Sequence, residues 1–433
     1  MEQTAIKALA EMTLHLLRKA GATKAHVRIA ESKKHELNVA NSRMSLYRTT
    51  DDISMELMAM KGYKKGVKRI NQLKDTEIEE AVLQTVKSAT DSQDDEANDI
   101  ADYIPSCNFQ SGPEVCDFDR MYDKLDEFIG ESKKEAPLVN LLEGALEYVT
   151  DRVTFLNSNG VHNTSRNSFY HLGLVFMAVE GNKSSSFNYS DAVRSSLSGK
   201  LSEHGSLMRL IRESQKQLEP KPFPGNFVGD IVITPDCMND FLSFIIRNLT
   251  DQSIYTRTSI FTDKLNRTIG DQSLTLYALP VGEDMPDKMF FTDDGYKTRD
   301  RAIIQNGVLN TYLLSLYGAK KTGLDRADTV GSNLVMVPGN IKKEEMISRI
   351  KKGVLLGRFS GGDPAPNGDF SGVAKNSFLI EDGEIKHALQ ETMISGNFSK
   401  MLFDIKGISA ERTNFGSAII PWVHVDGIQV ISA

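Results

Sequence analysis

Eight histidines and three cysteines are the residues of this chain best suited to holding a metal or forming a nucleophile, and their spacing is informative. A zinc-dependent hydrolase needs two histidines on one helical face, a third ligand and an adjacent carboxylate base. His15, His26, His35, His162, His171, His204, His387 and His424 include no two that are three, four or five residues apart, so no helix presents a pair. Only histidines gathered from distant parts of the chain could assemble a site. Cys107, Cys116 and Cys237 make no C-x-x-C. The chain is therefore expected to carry no metal and no cofactor of its own. Serine-hydrolase chemistry is no better served: G-x-S-x-G is absent, and the nearest string is Gly357-Arg358-Phe359-Ser360-Gly361. Cys237 falls near an expected helix N-terminus, where a thiolate would be stabilised, but no histidine is close in sequence to serve as its base. It reads as a buried structural thiol, and no catalytic residue is assigned.

The stretch from Ser360 to Asp369 is rich in glycine and proline. It cannot be a P-loop, because no G-K-[ST] follows. As a calcium loop it ends on Ala374, where a bidentate glutamate is needed. A rigid surface loop is the plain reading. Such loops also line binding sites, which makes Gly361, Gly362, Asp363 and Asn367 candidates for ligand contact.

The elements that must position these residues follow from periodicity and turn chemistry. Residues 4–20 show helical spacing, with Ile6, Leu9, Leu16 and Leu17 on one face and Gly21 as the stop. Strand alternation follows at 25–29, 35–48 and 53–60. Thr76 with Glu79 predicts a capping box for a helix running to about Ala89. The acidic stretch Asp91, Asp94, Asp95, Glu96, Asp99 and Asp102 reads as a solvated loop, and 117–134 as a helix with Met121, Leu125 and Phe128 inward. From 138 to 190 strands return, with Asn159-Gly160 as a hairpin signal. Segment 201–217 is helical, and Pro220, Pro222 and Pro224 make a stiff connector. Beyond it, a strand at 230–234 runs into Pro235, a good first-turn residue for a helix carrying Met238, Phe241, Leu242, Ile245 and Leu249. Asn306-Gly307 and Asp382-Gly383 mark two later hairpins. Strands and hairpins without regular βαβ alternation predict an α+β fold, with an N-terminal mixed domain over 1–220 and a β-rich domain over 225–433.

With 40% hydrophobic and 25% charged residues, the composition is that of a folded protein. No apolar run approaches the roughly 18 residues of a membrane span, and the N-terminus has neither the basic start nor the apolar core of a signal peptide. The few cysteines suit a reducing compartment, so the expected location is cytoplasmic. A net charge of −7 disfavours nucleic acid and anionic lipid as partners. The basic strip Lys61, Lys64, Lys65, Lys68 and Arg69 has only Tyr63 nearby for stacking, and reads as a solvated strand face.

The most specific signal lies in the last third. Phe291-Thr292-Asp293-Asp294-Gly295 is followed by Arg301 to Leu309, then Tyr312-Leu313-Leu314 and Ala319 to Leu324. Phe378 to Ile385, Ile394-Ser395-Gly396-Asn397 and Gly416 to Pro421 complete the series. In this order and spacing the blocks resemble the TldD/PmbA family, the so-called modulators of DNA gyrase, whose members are similar to metallopeptidases acting on unfolded peptides. The resemblance is clear beyond residue 220 and weaker before it.

That family has two branches, TldD and TldE (or PmbA), which pair as a heterodimer. The TldD branch carries His-Glu-x-x-x-His at a strand-to-helix junction and a cysteine ligand near the C-terminus. The matching junction here reads Thr234-Pro235-Asp236-Cys237-Met238-Asn239, and Thr413-Asn414-Phe415-Gly416 has no cysteine. Thr234, Pro235, Asn239 and Phe415 thus occupy degenerate metal-site positions, and the chain resembles the TldE/PmbA branch. The resemblance implies a TldD-like partner that holds the zinc. It also implies an unfolded peptide as substrate, with the glycine-rich loop beside the peptide groove. The other reading is a stand-alone peptide-binding homodimer, or a modulator of another protein such as DNA gyrase without peptidase activity.

Overall fold

The computed structural model describes residues 3–432, and two sheets organise them. The first unit contains α1 (Gln3–Lys19), β1 (Lys24–Ala40), β2 (Arg43–Lys61), β3 (Lys64–Ile70), α2 (Asp75–Asp91), β4 (Cys107–Ser111) and α3 (Phe118–Glu135). It continues through β5 (Val139–Asn157), β6 (His162–Glu180), β7 (Lys183–Ser184), β8 (Asn188–Arg194) and α4 (Leu207–Lys216). The strand order is β3-β2-β1-β5-β6-β4, with β7 and β8 also on β6. Strands of 17 to 19 residues reach about 60 Å, so β1, β2, β5 and β6 cross the whole unit.

Successive side chains of a strand point to opposite faces. Val27, Ile29, Leu37 and Val39 of β1, Leu146 of β5 and Leu172 of β6 are buried with residues of α1 to α4. The intervening positions, among them Ser32, Glu36, Glu147, Asp151, Asn167 and His171, form a polar opposite face.

Three expectations need correction. The strand expected over 35–48 is broken by a tight turn, since Asn41 and Ser42 adopt φ +50° and +56°. This is the mirror-image turn that hairpin twist favours, made by Asn-Ser in place of Asn-Gly. The capping box also fails: Lys74 is the N-cap of α2, and Thr76 lies inside the first turn. The acidic stretch, third, is no free loop but a clasp to the second unit. Asp95 accepts from the Tyr317 hydroxyl at 2.9 Å and pairs with Lys321 at 2.9 Å, while Asp99 joins Lys24 to Lys320. Burial would raise the Asp99 pKa, but hydrogen bonds from Lys24 and Lys320 outweigh it and lower the value to about 2.

The second unit opens with β9 (Phe227–Ile233), α5 (Pro235–Asn248), α6 (Asp251–Tyr255), β10 (Leu276–Ala278), β11 (Arg301–Gln305), β12 (Val308–Leu309), α7 (Leu316–Thr322), β13 (Leu334–Met336) and α8 (Lys343–Ser348). There follow β14 (Lys352–Leu356), β15 (Arg358–Ser360), β16 (Asp369–Lys375), β17 (Phe378–Glu381), β18 (Glu384–Ala388), β19 (Thr392–Asn397), α9 (Phe398–Phe403), β20 (Ile405–Asn414) and β21 (Ala418–Ser432). The long β21 is the hub, paired with β13, β9, β19 and β20. Its Ile420, Val423, Val425 and Val430 share a core with Met238, Phe241 and Ile245 of α5. Both expected hairpin turns form, with Asn306 and Asp382 at φ +50° and +49°. The architecture is α+β with a strand-rich second half. No helix among the described residues is long and apolar enough to cross a membrane.

Segment 287–296 of the second unit lies on the polar face of the first sheet. Phe290 stacks on Phe109 with centroids 4.9 Å apart, and Asn163 Nδ2 donates to the Gly295 carbonyl at 2.8 Å. Gly295 is required there: its φ is +91°, and an added Cβ would stand 2.3 Å from Phe155 Cε1.

Candidate functional site

The junction between β9 and α5 is built as its sequence suggests. Thr234 is the N-cap, its hydroxyl accepting from Cys237 N at 3.4 Å and donating to the Gly357 carbonyl at 3.2 Å, and Pro235 opens the helix. Asn239 lies half-buried one turn on. Phe415 sits in the tight turn between β20 and β21, buried, with its carbonyl accepting from Val193 N at 2.7 Å. The first turn of α5 and the Phe415 turn thus both reach β8, through Ser190 and Val193.

What fills this place is a set of matched charges that spacing alone could not reveal. Asp236, whose side chain is 1% exposed, is bound by Arg209 of α4 and by Ser190 Oγ of β8 at 3.2 Å. Arg358 of β15 lies 3.9 Å from Asp236 and 3.9 Å from Asp240. Its remaining donors reach Asn188 Oδ1 at 3.3 Å and the Tyr189 carbonyl. Arg209 also pairs with Glu213 at 2.9 Å. The only sequence signals were Asp236 inside the junction string and Arg358 inside the string nearest to G-x-S-x-G.

The residues present do not fit a zinc ion. Thr234, Pro235, Asn239 and Phe415 offer no imidazole, thiolate or carboxylate, and Asp236 is engaged by two guanidinium groups. Cys237 is fully buried, and burial pushes its thiol well above the ordinary range, so it is neither a ready ligand nor a ready nucleophile. Among the described residues no three His, Cys, Asp or Glu come together in a way that could hold a metal ion.

The glycine-rich loop is the tip of the β15–β16 hairpin. Gly361 packs against strand β16, where an added Cβ would stand 2.4 Å from the Ser371 carbonyl. Asp363 pairs with Arg247 in the last turn of α5, about 20 Å along the helix from Thr234. Asn367 accepts from Asp369 N at 3.0 Å, and its carbonyl accepts from Asn397 Nδ2 at 3.0 Å. Gly361, Gly362, Asp363 and Asn367 are exposed and lie apart from the junction.

The polar face of the first sheet carries a charge ladder across five strands. Arg48 of β2 binds Glu36 of β1 at 3.1 Å, and Glu147 of β5, opposite Glu36, pairs with His171 of β6. His171 Nδ1 is 3.1 Å from Glu147, and Nε2 is 3.6 Å from Asp191 of β8. Burial would lower the His171 pKa, but Asp191 and Glu147 raise it to about 9, so the ring is an imidazolium at neutral pH. Beyond this ladder two cavities open between the units. One, of about 560 Å³, lies between the β1–β2 edge and residues 292–294 and 313–317. The other, of about 420 Å³, lies between β1, β2, β5 and β6 and residues 287–293.

A polar face of long strands roofed by a second, β-rich unit, with a strand-to-helix junction closed by ion pairs, defines a two-sheet α+β protein. Residues 226–432 match the PmbA/TldA metallopeptidase C-terminal domain. The chain is 27% identical over 194 residues to a zinc metalloprotease TldD homolog of Saccharolobus solfataricus, a match covering 42% of this chain and 44% of that protein. It thus matches less than half the length of this relative. A metalloprotease PmbA homolog of Haemophilus influenzae is 21% identical over 456 residues, covering 98% of this chain and 97% of its own length. The crystal structure of TldE from Thermococcus kodakarensis has the same fold, with a TM-score of 0.84 at 19% identity, over 98% of this chain and 100% of that one. Residues 226–432, just under half of the chain, thus match this family's C-terminal domain, and the chain as a whole shares the fold of TldE.

Proposed function

We propose that this chain is a TldE/PmbA-like subunit without a metal of its own, which acts with a TldD-like partner in the proteolysis of unfolded peptides. One observation carries the reading: where the family's metal-binding branch places ligands, this chain has Thr234, Pro235, Asn239 and Phe415, and Asp236 beside them is tied to Arg209 and Arg358. A peptidase needs an activated water, a general base and a groove that holds the scissile bond within reach of both. This chain contributes the groove and leaves zinc and base to its partner. Its exposed hairpin at 361–367 and its long strand edges are the parts a groove wall uses, since an extended peptide docks by adding a strand to a free edge.

Alone, the chain leaves an unfolded peptide uncut. Mixed with a TldD-like subunit from the same cell, it forms a stable complex that cleaves strongly. Substituting the partner's His-Glu-x-x-x-His abolishes cleavage, whereas Cys237→Ala in this chain leaves it intact. Chelator-insensitive hydrolysis by this chain alone overturns the reading and makes Cys237 the first nucleophile to test.

A further inference from the structure

The smaller inter-unit cavity is lined by five carboxylates against the three cations Arg28, Arg152 and Lys288, and two of its carboxylates, unlike Asp236 at the α5 junction, have no cation in contact. Asp151 of β5 lies opposite Ser32 of β1 and Asn167 of β6, and Asp287 comes from the segment laid over that sheet. Neither has a cationic group within 4 Å among the described residues, and Lys34 and His171 act on them only at longer range. Asn167, which also lines the cavity, is 5% exposed; its Nδ2 donates to Asp287 Oδ1 at 3.1 Å, while its buried Oδ1 has no hydrogen-bond partner. A buried acceptor left unpaired is costly, and so is a half-buried carboxylate without a counter-charge in contact. Asp151, which accepts from Ser32, and Asp287, which accepts from Asn167, thus have neutral donors but no counter-charge in contact at a cavity whose lining is net negative.

We propose that this cavity binds a primary ammonium group of a peptide, held between Asp151, Asp287 and Asn167. An ammonium has three N–H donors and no acceptor, which matches two carboxylates and one amide oxygen. A hard metal ion is a poorer match, because only two of the groups are anionic and no third His, Cys, Asp or Glu completes a set. The volume of about 420 Å³ leaves room for the residues that follow the amine. Burial raises the pKa of both Asp151 and Asp287, and for Asp287 the charge of Asp151 adds to it; a bound cation relieves both effects. This inference rests on the peptide-holding role above and names the end of the peptide that is held.

Calorimetric titration of the purified full chain, without any partner subunit, tests it. The probes are Ala-Ala-Ala-amide, its N-acetyl form, and acetyl-Ala-Lys-Ala-amide. The free-amine peptide is expected to bind at least tenfold more tightly than the acetylated one, about 1.4 kcal/mol. Asp151→Asn with Asp287→Asn is expected to abolish that preference. Recovery of affinity with the lysine probe assigns the site to any primary ammonium; no recovery restricts it to the peptide N-terminus. Equal affinity for the free and acetylated forms, no binding of either, or a calcium or magnesium ion that occupies the site and displaces the amine overturns the proposal. Because the assay omits the TldD-like partner, a failed amine preference beside intact cleavage by the mixture refutes this inference alone. An intact preference beside failed cleavage refutes only the subunit reading.

Discussion

Two polar groups of residues lie where the units meet, one buried and one half-buried, and they differ in how their charges are met. At the α5 junction, Asp236 is enclosed by Arg209, Arg358 and Ser190, so each charge has its counterpart. In the cavity beneath residues 287–293, Asp151 and Asp287 have only neutral neighbours within bonding distance, and Asn167 Oδ1 has none. Burial alone therefore does not mark a functional site. The junction is closed by ion pairs, whereas the two cavity carboxylates have no cation in contact.

Removing Asp236 should have the largest effect. Asp236→Ala removes the carboxylate shared by two guanidinium groups, leaving Arg209 to Glu213 and Arg358 to Asp240. A loss at the lower end of the roughly 3–5 kcal/mol for breaking a buried pair is expected. The loss is read from the urea midpoint at unchanged slope. A loss under about 1 kcal/mol would mean that the junction cluster is not the matched one.

The His171 ladder should give an intermediate effect that depends on pH. Its folded pKa of about 9 lies above the ordinary 6.5, so the charged ring favours the folded state. That contribution is full below about pH 6.5 and is lost as pH rises through about 9, an effect on the order of 1–3 kcal/mol. His171→Gln should flatten the fall in stability across this window, measured by thermal melts from pH 6 to 10. An unchanged slope would place the titration elsewhere.

Asp287→Asn should have the smallest effect, and of opposite sign to that of Asp236→Ala. Burial raises the Asp287 pKa, so the folded state carries an unfavourable charge once pH exceeds the unfolded carboxylate value. The amide removes that charge and can still accept from Asn167, leaving stability unchanged or raised within about 1 kcal/mol. A fall in melting temperature comparable to that of Asp236→Ala would erase the contrast between the two regions.

Much of the fold was legible because its signals are local. Asn306-Gly307 and Asp382-Gly383 must turn, since their left-handed backbone suits few other pairs, and Thr234-Pro235 must cap and open a helix. Asn41-Ser42 carries the same turn signal more faintly, because serine lacks glycine's ease in the left-handed region. Resemblance placed the degenerate junction at Thr234, Pro235, Asn239 and Phe415 as well, because residue identity at a motif needs no coordinates. By itself, then, the sequence determined the α+β class, the strand-to-helix junction at Thr234-Pro235 and most hairpins. Tertiary structure alone decided which charges meet. Arg209, Asp236 and Arg358 are far apart in the chain, and Asp151, Asn167 and Asp287 come from two units. Whether a carboxylate is neutralised or left open depends on strand register and on how one unit lies over another. Those are long-range distances, and local residue patterns do not encode them.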